Sequence, residues 1–304
     1  MDFISLLLRQ NILMFMYLLI GYFLYHRKLV TNAGSAELGR MLLYIIMPAA
    51  ILRSYMTDYS PEMLEGLLIS FFAALFSLLL SMIISRFFFK KEANIERFGA
   101  AFSNAGFIGI PLVQMTLGDE AVFYVSSFVA LLNILQWTYG VFLLTQDKSV
   151  VSFQKLCTNP IILSFLAGLI LFFIPLQLPD IMNGMIGTLA DMNGPLAMIV
   201  LGTYLAQIPL RSLFTESVVY RCTFVRLIVI PVLTILMLVL LPEEYRIIKL
   251  TVLIAASAPV GSNVAIFAQL YDGDYFRAVK EVCLSTVFSI ITLPLITGIA
   301  SFFY

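Results

Sequence analysis

The chain has 304 residues, of which 61% are hydrophobic and 12% charged, with a mean hydropathy of +0.98. That composition excludes a soluble globular domain and marks an integral membrane protein. Eighteen basic residues against eighteen acidic ones leave no net charge, and with it no basic surface for nucleic acid.

Apolar runs able to cross a bilayer lie at 3–25, 37–55, 63–88, 97–117, 121–145, 160–178, 184–207, 218–241, 246–270 and 276–304. The first is too long for a signal-peptide core and lacks a basic leader and a small-residue cleavage site, so it reads as a membrane helix. The expected fold class is therefore all-α integral membrane, with ten transmembrane helices joined by short polar loops. Residues 1–145 and 160–304 form two halves of five helices each, linked by 146–159. Cys157, Cys222 and Cys283 show no metal-ligand spacing and are expected as free thiols.

Basic residues orient the chain. Arg27, Lys28, Arg40, Arg86, Lys90, Lys91, Arg97, Lys148, Lys155, Arg211, Arg221, Arg277 and Lys280 fall in or beside the odd-numbered loops, against Arg53, Arg246 and Lys249 in the even ones. The positive-inside rule makes the odd loops cytoplasmic and puts both termini outside. An odd number of helices per half then inverts one half against the other. A shift of 153 residues aligns Asn104 with Ser257, Gly106 with Pro259 and Gly109 with Ser262 without a gap, and Pro48 and Pro195 recur in segments two and seven.

Segments four and nine carry the interruptions. Ser103-Asn104-Ala105-Gly106-Phe107-Ile108-Gly109-Ile110-Pro111 and Ala258-Pro259-Val260-Gly261-Ser262-Asn263 place Gly, Pro, Asn and Ser in the middle of apolar helices. Proline removes a backbone donor and clashes with the preceding turn. Irregular backbone at membrane depth persists only where it is buried in protein or lines a wet cavity. The functional reading is that half-helix N-termini and neutral donors bind an anion at the break; the plain alternative is close packing through small residues. No basic residue occurs between Arg97 and Lys148, which leaves the expected site with donors and dipoles only. The expected substrate-binding residues are Asn104, Gly106, Gly109, Pro111, Ser257, Pro259, Gly261, Ser262 and Asn263, with Asn133, Gln136, Gln114 and Asp191 as secondary candidates. Gln269 ranks beside Gln114.

Asp191 has two readings, a buried proton or cation site or an exposed group in an outer vestibule, because Asn193-Gly194-Pro195 is also a turn and helix-start signal. Arg226 reads as a snorkelling side chain. Glu281, Arg86, Lys90, Lys91 and His26 read as solvated helix ends. No triad, catalytic carboxylate pair or phosphate-cradling loop is visible, so neither an enzyme nor a cofactor or metal site is expected.

The motif from Asn104 to Pro111, followed by Leu112-Val113 and Gly118, together with Ala258-Pro259 to Asn263, resembles the paired motifs of the auxin efflux carrier family, which includes bacterial malate and malonate carriers and plant PIN-type carriers. The likeness covers the whole chain. It implies an elevator-type secondary transporter of the plasma membrane, built of two inverted repeats with crossing broken helices four and nine. In such a fold helices one, two, six and seven form a scaffold, and three to five and eight to ten a moving domain. It further implies a homodimer, a small organic anion as substrate (malate, malonate or an auxin-like acid), and H+ or Na+ as coupling ion. Asn104 matches a substrate-carboxylate contact. The rival readings are a sodium-coupled organic anion symporter of the bile-acid type, which the lack of acidic residues in segments four and nine disfavours, and a non-transporting membrane sensor.

Overall fold

A computed structural model describes residues 3–147, 154, 157–174, 178–271 and 273–304. Most of the expected linker at 146–159 lies outside the described residues. The helices, in chain order, are α1 (Phe3–His26), α2 (Asn32–Tyr55), α3 (Pro61–Phe88), α4 (Asn94–Ala101), α5 (Ala105–Leu117), α6 (Glu120–Thr145), α7 (Pro160–Phe173), α8 (Asp180–Ala206), α9 (Ser217–Leu238), α10 (Arg246–Ser257), α11 (Asn263–Leu270) and α12 (Tyr275–Ala300). Six of them, α2, α3, α6, α8, α9 and α12, are long and apolar enough to cross a membrane. The protein is thus an all-helical, multi-pass membrane protein, and no strand longer than an isolated bridge occurs among the described residues.

Local sequence sets the helix ends. Thr31, Ser60, Asn159 and Asp274 each accept a hydrogen bond from a backbone N–H of the first turn of α2, α3, α7 and α12, satisfying donors that a helix leaves orphaned. Proline shapes the interiors. Pro48, Pro111 and Pro231 each follow directly on a stretch of wide i→i+5 turns, at Leu42–Ile46, Ala105–Gly109 and Val225–Val229. A wide turn takes up the carbonyl that the proline ring would otherwise strike, so the helix continues instead of breaking.

Glycine governs the closest contacts. A Cβ at Gly21 would strike the Ile199 carbonyl and one at Gly202 the Leu18 carbonyl, so α1 and α8 approach backbone to backbone. Around this pair, α2 packs on α7 and α8; separately, α3 packs on α4 and α6, and α9, α10 and α11 pack on α12. Apolar side chains such as Phe72, Phe76, Ile83, Leu236 and Ile291 point outward, as a lipid-facing surface requires. All three cysteines are free, Cys157 exposed and the other two buried.

Candidate functional site

The two interrupted stretches meet. Helix α4 ends at Ala101 and α10 at Ser257, and the extended residues that follow run antiparallel, with Ser103 bridged to Val260. Asn104 donates its backbone N–H to the Pro259 carbonyl at 2.7 Å, and Gly261 donates to the Phe102 carbonyl at 3.0 Å. Ser285 of α12 closes the ladder by accepting the Val260 N–H at 3.0 Å. Backbone groups freed by the breaks thus find partners inside the protein. Gly261 is required by proximity, because a Cβ there would lie 2.9 Å from the Ser103 carbonyl oxygen. The ungapped alignment of Asn104 with Ser257 does not survive in three dimensions: Asn104 lies in its break, whereas Ser257 is the last residue of its helix.

From this junction α5 and α11 lead away, their first N–H groups without intrahelical acceptors. Between them lies a small space of about 20 Å³, lined by Ser103, Asn104, Gly106, Asn133, Gln136, Gly261, Ser262 and Asn263 with Leu43, Met47 and Ile161 among its apolar walls. Asn263 donates Nδ2 to Gln136 Oε1 at 2.6 Å, and Asn133 donates to the Val129 carbonyl at 2.8 Å. Asn104 Nδ2 and Ser103 Oγ have no partner although both residues are at most 4% exposed. An unsatisfied buried donor costs about 1–3 kcal/mol, so a pair of them lining a space is the signature of a group that something else fills.

The small space adjoins a larger cavity of about 350 Å³, with Leu43, Asn133, Ile161 and Asn263 lining both. Its other walls bring Arg40, Asn159, Trp137 and Phe267, the two rings 4.7 Å apart. The small space is lined by neutral groups, and Arg40, from α2, adds a cation to the adjoining larger cavity. A search confined to the broken helices misses it, since it is contributed by a different element.

The remaining candidates sit apart. Gly109 packs on Ala255, and Pro111 packs on Gly194 of α8. Pro259 contributes its carbonyl to the ladder, Ser257 is buried with an unpartnered hydroxyl, and half-buried Gln114 lines neither cavity. The side chain of Gln269 lies outside the described residues. Asp191 is exposed and ion-paired to Arg53 at 2.6 Å, which decides between its two readings in favour of the exposed one. Arg53 also lines a separate cavity of about 620 Å³ with Thr57, Met63, Glu120 and Asn183, which shares no residue with the junction.

Two further expectations are overturned. Arg226 does not snorkel; it is 1% exposed and donates Nη1 to the Ala100 and Ala101 carbonyls at 3.0 and 3.4 Å, at the end of α4 where no further turn can donate. Glu281 is not a solvated helix end, being fully buried against α4 and α9. Arg86, Lys90, Lys91 and His26 are exposed as expected.

Comparison with known proteins agrees with this architecture. The family model described as "Membrane transport protein" matches residues 8–152 and 145–297. A protein of Rhizobium meliloti (strain 1021) named "Putative malonate transporter" is 27% identical over 211 residues, 66% of this chain. The chain spans about 65% of that relative's length. With the family model matched along nearly its entire length and the interrupted stretches joined as described, the chain belongs to the membrane transport protein family, that of the auxin efflux carriers.

Proposed function

We propose that this protein is a secondary transporter of a small dicarboxylate of the malonate type. The reading is carried by one observation: unpartnered Asn104 Nδ2 and Ser103 Oγ line a space that adjoins, at Asn133 and Asn263, the cavity lined by Arg40. Neutral donors and two helix N-termini suit one carboxylate, and the guanidinium suits a second. A ligand held by amides and one exposed cation binds moderately, which turnover needs. The name of the malonate relative supports the same substrate class.

The larger reading extends this to the whole chain. Broken segments α4/α5 and α10/α11 act as helices four and nine of ten, in two inverted five-helix repeats, 1–145 and 160–304, with the ladder as their crossing. Helices α1, α2, α7 and α8 form the scaffold, and the rest moves past it as an elevator. The cavity at Arg40 faces the cytoplasm of a plasma-membrane protein with both termini outside, and the scaffold carries a homodimer contact. In proteoliposomes, Asn104→Ala and Asn263→Ala each lower malonate counterflow by roughly tenfold, the worth of one good hydrogen bond to a charged group, with expression and oligomeric state unchanged. Wild-type rates in both variants would refute the site, and uptake that requires a sodium gradient would favour the bile-acid-type mechanism.

A further inference from the structure

Glu281 stands out among the groups the anion site does not use. It lies on α12, 0% exposed, and no N–H or O–H group donates to either carboxyl oxygen. Its Oε2 presses on Gly99 of α4, where any Cβ would collide with it, and the Cys222 thiol of α9 borders the same point. The charged and titratable groups around it are few. From α4 comes Glu96, 2% exposed; from α9 comes Cys222, which Arg226 adjoins; from the segment before α9 comes Glu216; and its own helix supplies Arg277.

Two nearby cations are paired with other acids. Arg277 bonds Glu96 Oε1 at 3.3 Å and reaches Glu216 and Asp274 at 3.4 Å, while Lys280 pairs with Glu216 at 2.5 Å. Arg226 bonds the α4 carbonyls through Nη1 alone, its Nε and Nη2 have no partner, and no ion pair joins it to Glu281. A bare carboxylate in this place, with Glu96 for company and only the weak S–H of Cys222 as a donor, would carry most of the desolvation cost of a buried charge. The carboxylic acid form avoids it.

Position ties this group to the junction. Ser285, one turn beyond, donates to the Glu281 carbonyl and accepts the Val260 N–H, and Gly99 lies two residues before the end of α4. We infer that Glu281 is the proton-binding site that couples anion movement to the pH gradient. It holds a proton in the conformation described here, and releases it when movement of the surrounding helices brings water or Arg226 to its oxygens. One proton binds and one leaves per cycle, with no other bond made or broken. The assignment rests on the transporter reading above for its coupling role, but not for protonation itself.

Two measurements separate the parts. In proteoliposomes, coupling of one proton to each anion across one pH unit gives up to about tenfold malonate accumulation. Glu281→Gln is expected to abolish that accumulation while retaining malonate counterflow, and Glu281→Asp to restore part of it. Gradient-driven accumulation that persists in Glu281→Gln overturns the coupling role, and so does accumulation that follows sodium instead of protons. In detergent, difference infrared spectra of the wild-type protein are expected to show the carbonyl band of a buried carboxylic acid at neutral pH, missing in Glu281→Gln. Absence of that band in the wild type overturns protonation outright. A wild-type protein that shows the band yet moves no dicarboxylate refutes the transporter reading and the coupling built on it, leaving protonation standing.

Discussion

At the scale of single residues, the cavity contrasts two kinds of donor. Asn104 is buried with a free amide, and Arg40 is exposed with a full charge. Burial decides their relative worth, because a hydrogen bond in a dry site is screened little and an exposed cation is screened by water. Arg40 nevertheless distinguishes substrates, since only an anion with a second carboxylate can reach it while the first sits at the junction. Arg40→Gln is therefore expected to weaken malonate binding by roughly tenfold, the lower end of what a charge-assisted bond contributes. A monocarboxylate such as acetate should be almost unaffected, and a thermal-shift titration of both ligands checks it. An equal loss for both would mean that Arg40 acts through general electrostatics instead of a specific contact.

At the scale of elements, much was legible because punctuation residues have strict backbone consequences. Gly, Pro and Asn in 103–111 and 258–263 announced interruptions, and the chain leaves helix at 102–104 and 258–262, whereas it runs on as helix past Gly106, Gly109 and Pro111. What escaped detection was partnership between elements. Arg226 and Glu281 look like ordinary charges near helix ends, since a sequence does not say which neighbour covers a helix end. Only packing of α4, α9 and α12 together shows that they are sealed. Arg40 escaped for the same reason, being far from the breaks in sequence and beside them in space. The ladder itself makes a sharp prediction. Gly261→Ala forces a methyl group towards the Ser103 and Phe102 carbonyls, 2.9 and 3.2 Å from an ideal Cβ, where backbone cannot yield cheaply. Overpacking of this kind costs about 1–3 kcal/mol, so its melting temperature falls. Gly184→Ala in α8, where a Cβ meets nothing, should instead leave stability equal or raise it by about 0.5–1 kcal/mol.

At the scale of the whole molecule, two cavities among the described residues differ in their relation to the junction. The one at Arg40 and Asn159 shares four lining residues with the space at the junction, and the one at Arg53 and Asn183 shares none. On the proposed reading, the cavity at Arg40 is the approach to the anion site in this conformation, as alternating access asks of an end state. Side-specific labelling tests this. With exposed Cys157 replaced by serine, and Cys222 and Cys283 buried, background reaction is low. A cysteine at Ile266, which lines the Arg40 cavity, should react with a membrane-impermeant maleimide from the cytoplasmic side, and one at Thr57, beside Arg53, from the outside. Malonate should slow the first reaction and not the second, because only the first cavity communicates with Asn104 and Asn263. If both cysteines reacted from the same side, the orientation inferred from the basic loops would fall. If malonate protected Thr57→Cys as strongly as Ile266→Cys, the anion would have to reach both cavities at once, which a protein that alternates access does not allow.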